Sequence, residues 1–388
     1  MTTPAQVRPL AISACAVLSP AGLGLTALDE YLAAPATDGT AAPDGTAAPN
    51  GGADPEGAPA YPPLACRAVP FEPADYLGRK GTRNIDRLTA LGTVACMLVL
   101  EEAGGTLEPG SLASAGVVLG TSTGSIQTMA ELAYDSATQE RPYLINPSHF
   151  PNAVMNACAA QIAIRNSLRG PNATVSGGSL SSLFAFRYVR HSITLGRARR
   201  LLAGGAEELS PMQAWGWHAS GALDGPGARA GVAEGCAMFL VEDPGARPEG
   251  AHAPVAELLA CEVRYCGAMM TGLTLGLAEC VTRALWRSGV SPDEVTVASV
   301  GATTRPALVR AEKRAITRAL GRLPDTIDVS SALGECYSAA GALQLAALIA
   351  RWRSGRAAPG AAVITGVGRD GNVGCLLVRT PAQGRAHA

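Results

Sequence analysis

Gly170-Pro-Asn-Ala-Thr-Val-Ser-Gly-Gly-Ser179-Leu-Ser-Ser-Leu183 is the stretch on which the fold turns. Ala173 to Ser176 predicts a short strand, and two glycines and a run of serines then lead into an apolar helical pattern from Leu180 to Leu195. A residue at such a junction sits near the positive end of a helix, where nucleophiles and anions are favoured. Ser179 holds that place.

Outward from this unit, strand and helix signals alternate. Further strands are expected at Leu10–Leu18, Gly116–Gly120, Arg200–Ala203, Cys236–Glu242, Val255–Tyr265, Thr296–Val300, Ile327–Ser330, Ala361–Thr365 and Cys375–Arg379. Helical spacing falls at Asn84–Ala103, Asn152–Ser167, Leu273–Ser288, Ala307–Leu320 and Ala339–Trp352. Parallel strands need crossovers, and crossovers are usually helices, so the pattern predicts an α/β fold with a largely parallel sheet covered on both faces. From Pro35 to Pro63 the chain is rich in Ala, Gly, Pro and Asp, and D-G-T-A-A-P occurs twice, at Asp38–Pro43 and Asp44–Pro49. So little apolar side chain cannot offset the entropy of ordering, which predicts a mobile surface insertion.

The 388 residues are 47% apolar, with 31 basic against 32 acidic side chains. A contiguous basic block is missing, which argues against nucleic-acid and membrane-surface roles. No apolar stretch is long enough to span a bilayer and the first residues lack an export pattern, so a cytoplasmic protein is expected. The ten cysteines lack paired C-x-x-C spacing and read as reduced core thiols, Cys158 and Cys336 included. His149, His191, His218, His252 and His387 lack the spacing of a helical metal site, so no metal is expected.

The Gly170–Leu183 passage resembles the nucleophile region of β-ketoacyl synthases, condensing enzymes of the thiolase-like fold. Other landmarks of that family recur in order: Ser19-Pro20, Ala203-Gly-Gly-Ala-Glu207, Ala233-Glu-Gly235 and Gly366-Val-Gly-Arg-Asp-Gly-Asn372. The resemblance implies a five-layered αβαβα fold built from two similar halves, residues 1–250 and 251–388, with 35–63 as an insertion in the first. In working members a cysteine carries the acyl chain, and two histidines help decarboxylate the malonyl partner and stabilise the enolate. Here Ser179 stands at the cysteine position. Val300, before Gly-Ala-Thr-Thr304, stands where the first histidine would be, with Glu312 in register downstream, and Glu335 replaces the second.

Three coordinated losses are similar to chain-length factors, the catalytically silent partners of type II ketosynthases. Ser210-Pro-Met-Gln-Ala-Trp215-Gly-Trp217, Gly334-Glu-Cys-Tyr337-Ser338 and Gln161-Ile-Ala-Ile-Arg165 resemble segments common in these partners. The usual factor carries glutamine where this chain has Ser179. The resemblance implies a heterodimer with a catalytic ketosynthase subunit, contact with an acyl carrier protein through that complex, and no cofactor. It also implies that residues after the turn Thr121-Ser122-Thr123-Gly124, namely Ile126, Met129 and Ala133, lie at the interface and close the partner's acyl tunnel. Gly366, Val367 and Gly368 would form a pocket-proximal loop, with Val367 where active relatives have a phenylalanine gate. The alternative is a Ser179-dependent acyltransferase or hydrolase acting on carrier-protein thioesters, with Glu335 as base; a serine hydroxyl needs such a base, and no imidazole is in register to supply it.

Overall fold

Two kinds of helix sequence set the layering. Ala340–Arg353 is apolar almost all round, and every residue from Ala340 to Ala350 is buried, as a helix between two layers must be. Met270–Ser288 and Pro306–Leu320 are one-sided, burying residues such as Leu277, Val281 and Ile316 beneath exposed arginines. The computed structural model describes residues 7–34, 61–82, 84–104, 112–223, 231–248, 250–267, 269–301 and 306–381. The insertion expected at 35–63 lies outside the described residues up to residue 60.

Ten strands form one path: β1 Leu10–Ser19, β2 Gly116–Gly120, β3 Asn172–Val175, β4 Arg200–Glu207, β5 Gly235–Glu242, β6 Ala256–Tyr265, β7 Val295–Val300, β8 Asp325–Asp328, β9 Ala361–Val367 and β10 Asn372–Arg379. Their spatial order is β8-β7-β9-β10-β6-β1-β5-β4-β2-β3. Read from either outer edge, each set of strands runs third, second, fourth, fifth, first. The two sets also share the pattern of pairing: second with third and fourth parallel, fifth with fourth and first antiparallel. They join through their first strands, with Leu10 opposite Leu258 and Ile12 opposite Ala256.

The main helices are α1 Arg87–Glu102, α2 Ile126–Thr138, α3 Ala157–Arg165, α4 Ser181–Thr194, α5 Pro211–Ala219, α6 Met270–Ser288, α7 Pro306–Leu320 and α8 Ala340–Arg353. Helices α4 and α8 touch strands of both halves, whereas α1 and α3 cover only the first half and α6 and α7 only the second. The result is the five-layered thiolase-like arrangement, α/β in class, with α4 and α8 as the middle layer.

The sheet is not largely parallel. Five of the nine ladders along the path are antiparallel. A connection as short as 368–371, between β9 and β10, can only join antiparallel neighbours, and alternation of helix and strand does not reveal which links lack a crossover. The helix expected over 152–167 is also shorter. Pro151 sits in a separate 3₁₀ turn, Phe150–Asn152, and Ser167 adopts a left-handed φ of 54° just past the end of α3.

Candidate functional site

The rim of the sheet where β2, β3, β7 and β9 end surrounds a cavity of about 590 Å³, a size that suits a small organic ligand. Ser179, Glu335, Ile126, Gly366 and Val367 line it. Val300 does not: it is buried at the end of β7, and the next residue, Gly301, reaches the cavity instead. Residues 302–305, which include the Thr304 end of that passage, lie outside the described residues. Gly368 is buried in the β9–β10 turn, donating its N–H to the Asn372 carbonyl at 2.7 Å, while its neighbours Val367 and Arg369 line the wall.

Small residues are required around Ser179. Gly178 has a left-handed φ of 59°, and a Cβ there would lie 3.3 Å from Asp370 Oδ2 and 3.4 Å from the Tyr337 hydroxyl. The turn is held from the side: Ser122 donates to the Gly178 carbonyl at 3.1 Å, and Ser181 donates to the same oxygen at 2.7 Å while accepting the Gly177 N–H at 3.0 Å. Ser179 is half-buried, and among the described residues its hydroxyl has no hydrogen-bond partner.

Glu335 is fixed by its backbone. Its N–H reaches the Gly231 carbonyl at 2.8 Å, its carbonyl accepts the Ala233 N–H at 3.0 Å, and its carboxylate accepts the Tyr337 N–H at 2.9 Å. Burial pushes the carboxyl above its ordinary range, against the Tyr337 amide and the nearby Arg369 guanidinium, which pull it down. The wall beside it is aromatic and cationic. The Trp217 and Tyr337 rings meet edge to face at 5.3 Å, and the Arg369 guanidinium lies 5.3 Å over the Trp217 ring. Nothing in the spacing of Trp217 and Tyr337 along the sequence reveals that α5 and the turn after Glu335 converge.

On the second-half side, Glu312 is fully buried; it accepts the Gly301 N–H at 3.0 Å and the Thr365 hydroxyl at 2.6 Å, tying the ends of β7 and β9 together. Beneath the first-half side lie two consecutive buried carboxyls that the sequence reading missed as a unit. Glu207 accepts the hydroxyls of Thr123 and Ser338, one from each half. Glu208 accepts the Leu88 N–H at 3.2 Å and the Gln127 N–H at 3.1 Å, at the starts of α1 and α2. Burial raises Glu207 to about 7 and Glu208 to about 8. A Glu-Glu pair closing an apolar strand is the signal that could have found them.

Ile126 is the only one of the three expected gate residues to reach the cavity. Met129 and Ala133 are exposed on α2, which packs against α5 and the Phe150–Asn152 turn. Eight of the ten cysteines are buried, Cys158 and Cys336 among them, and burial pushes both of those thiols well up, away from nucleophilic use. Among the described residues there is no cluster of metal-ligating side chains, and no helix is long and apolar enough to cross a membrane.

The family model for the β-ketoacyl synthase N-terminal domain matches residues 8–244, and that for the β-ketoacyl synthase C-terminal domain matches 255–363. Among curated proteins, 3-oxoacyl-[acyl-carrier-protein] synthase 2 of Vibrio harveyi is 27% identical over 39% of this chain and 37% of its own length. The enzyme of that name from Vibrio cholerae is 27% identical over 65% of each. The chain thus spans less than two thirds of these relatives. Among solved structures, the ishigamide ketosynthase/chain length factor superposes with a TM-score of 0.77 at 31% identity, covering 97% of this chain and 100% of that one.

Proposed function

The chain belongs to the β-ketoacyl synthase family, and from that premise we propose that it is a noncatalytic, chain-length-factor-like subunit of a type II polyketide ketosynthase. In this reading it pairs with a catalytic subunit that carries the cysteine and both histidines, and meets the acyl carrier protein through the pair. The observation that carries the reading is the state of the pocket: an unpartnered Ser179 hydroxyl, an apolar Val300 turned into the core, and Glu335 committed to backbone bonds. No cysteine or histidine is among the described residues lining the cavity, which supports this reading.

The outer surface of the first half supports a partner. Met129, Tyr134, Phe150 and Trp215 are exposed on α2, α5 and the turn packed against α2, and β3 is a sheet edge paired only with β2. Exposed apolar side chains beside an open edge are what an obligate interface covers. Ile126 would then face the cavity while Met129 and Ala133 meet the partner, so the bulk on α2 limits how far a growing chain extends.

The test is reconstitution. The purified chain alone, given malonyl- and acyl-carrier-protein thioesters, is expected to form no condensed product; with a catalytic subunit it should support one. Ile126→Phe in the pair should shorten the product, read by mass spectrometry. Condensation by the chain alone, or a serine-bound acyl group abolished by Ser179→Ala, would favour an autonomous acyltransferase instead.

A further inference from the structure

A basic surface emerges from the fold where the sequence has no basic run. On α7, Arg310, Lys313, Arg314 and Arg318 recur at three- and four-residue spacing and all point outward, while the acid of that helix, Glu312, is buried. Helix α6 packs alongside and adds the exposed Arg283. None of these five cations has a hydrogen-bond or ion-pair partner among the described residues. The acids beside them are already engaged: Glu279 bridges Arg264, and Glu262 bridges Arg287 at 2.8 Å. In a chain whose formal net charge is −1, five uncompensated positive charges on one face make a strong local field.

The surface is also concave. A groove of about 1030 Å³ runs between α6, α7 and β6, with Arg283 and Arg318 on its walls and Leu275 and Trp286 in its lining. Trp286 is 56% exposed, a large apolar area left open to water. Arginines beside the apolar Leu275 and Trp286 in a groove of mixed polarity suit an amphipathic helix with acidic flanks and apolar anchors. A continuous phosphate surface fits less well, because it would leave the apolar Leu275 and Trp286 of the groove without a partner.

We propose that the outer face of α6 and α7 is a docking surface for an acidic, helical protein, separate from the cavity at the sheet rim. Identifying that protein as the acyl carrier protein rests on the functional reading above; the surface itself does not. Carrier held there is kept close to the assembly by charge while its prosthetic arm is used elsewhere.

The test is calorimetric titration of the full chain with apo acyl carrier protein. Arg314→Glu/Arg318→Glu should weaken binding by about tenfold or more, and Trp286→Ala by about fivefold. Raising NaCl from about 50 to about 300 mM should erode the wild-type affinity toward that of the reversed variant. Arg79→Glu, at an exposed site elsewhere, should change it less than about twofold. All four side chains are exposed, so the variants keep the fold, which circular dichroism verifies. Absent binding, charge reversal without effect, or tighter binding to phosphatidylglycerol vesicles or duplex DNA than to the carrier overturns the proposal. If the chain fails to support condensation with a catalytic subunit while carrier binding keeps its dependence on Arg314 and Arg318, the functional reading falls and the docking surface stands. The reverse pattern removes only the docking surface.

Discussion

The two halves place their third strands and central helices alike, yet connect them differently. In the first, residues 176–180 carry β3 directly into α4; in the second, residues 329–339 pass through a short helix, Val329–Leu333, and a further turn before α8. Ser179 with Gly178, and Glu335 with Tyr337, line the cavity from these two links. The short link is built by its neighbours, Gly177, Gly178 and Ser181, so the side chain at 179 contributes little to the fold. The long link is sewn to residues 231–233 through the main chain of Glu335. The side chain at 179 is thus free to vary at little structural cost, whereas the carboxylate at 335 also braces its own link by accepting the Tyr337 N–H at 2.9 Å.

The largest expected effect tests the carboxyl that ties the second link to the first half. Glu207 takes a hydroxyl from Thr123 in the first half and from Ser338 in the second, with Glu208, Tyr337 and Cys336 as its titratable neighbours and Asp86, Glu234 and Arg87 farther along the same cluster. Its folded pKa, about 7, lies above the ordinary carboxyl value of 4.5, so the native state holds a proton that the unfolded chain releases first. That stabilisation is complete below pH 4.5 and is lost as pH rises through 7; Glu208 extends the loss to about 8. One such shift corresponds to roughly 3 kcal/mol. Urea unfolding between pH 5 and 8 should show falling stability, and Glu207→Gln should flatten much of the slope. A slope unchanged in Glu207→Gln would mean that the proton tying the second link to the first half is not held by this carboxyl.

A smaller effect separates the glycines that open the two links. Gly334 has φ 108°, and a Cβ there would lie 2.8 Å from the Gly231 carbonyl oxygen, which is backbone and cannot yield; at Gly178 the nearest atoms are the ends of side chains at 3.3 Å and beyond. Gly334→Ala should cost about 3 kcal/mol and Gly178→Ala about 1 to 2 kcal/mol. Equal costs, measured by thermal and denaturant unfolding, would erase the distinction between the links.

How much of this was legible depended on whether the signal is local. The boundaries of Gly116–Gly120 were readable because a short apolar run between glycines has one interpretation, and Ser179 was placed because strand, glycines and helix adjoin in sequence. The antiparallel ladders, the meeting of Trp217 with Tyr337 and Arg369, and the bonds of Thr123 and Ser338 to Glu207 all arise between segments far apart in the chain. The basic face was missed for a simpler reason. Charges were sought as a contiguous run, whereas a helix gathers them at a period of 3.6 residues.

The smallest structural effect belongs to Ser179, and it is the sharpest test of the comparison. Its hydroxyl is unpartnered and half-buried, so Ser179→Ala and Ser179→Cys should each leave stability within about 0.5 kcal/mol of the starting chain. Restoring the thiol restores one element of a condensing site and no more. At the start of α4 a cysteine gains some help in ionising and could accept an acyl group. Extending that group requires decarboxylation of a malonyl unit and a donor for the enolate, and at the two matching positions the second half has buried Val300 and Glu335, whose carboxylate accepts the Tyr337 N–H. Intact-mass analysis of Ser179→Cys after incubation with an acyl thioester should therefore find an acylated chain, with no elongated product when malonyl-carrier protein is added. Elongation by this single variant would mean that the second half still supplies chemistry, and that the loss of function lies in the first half alone.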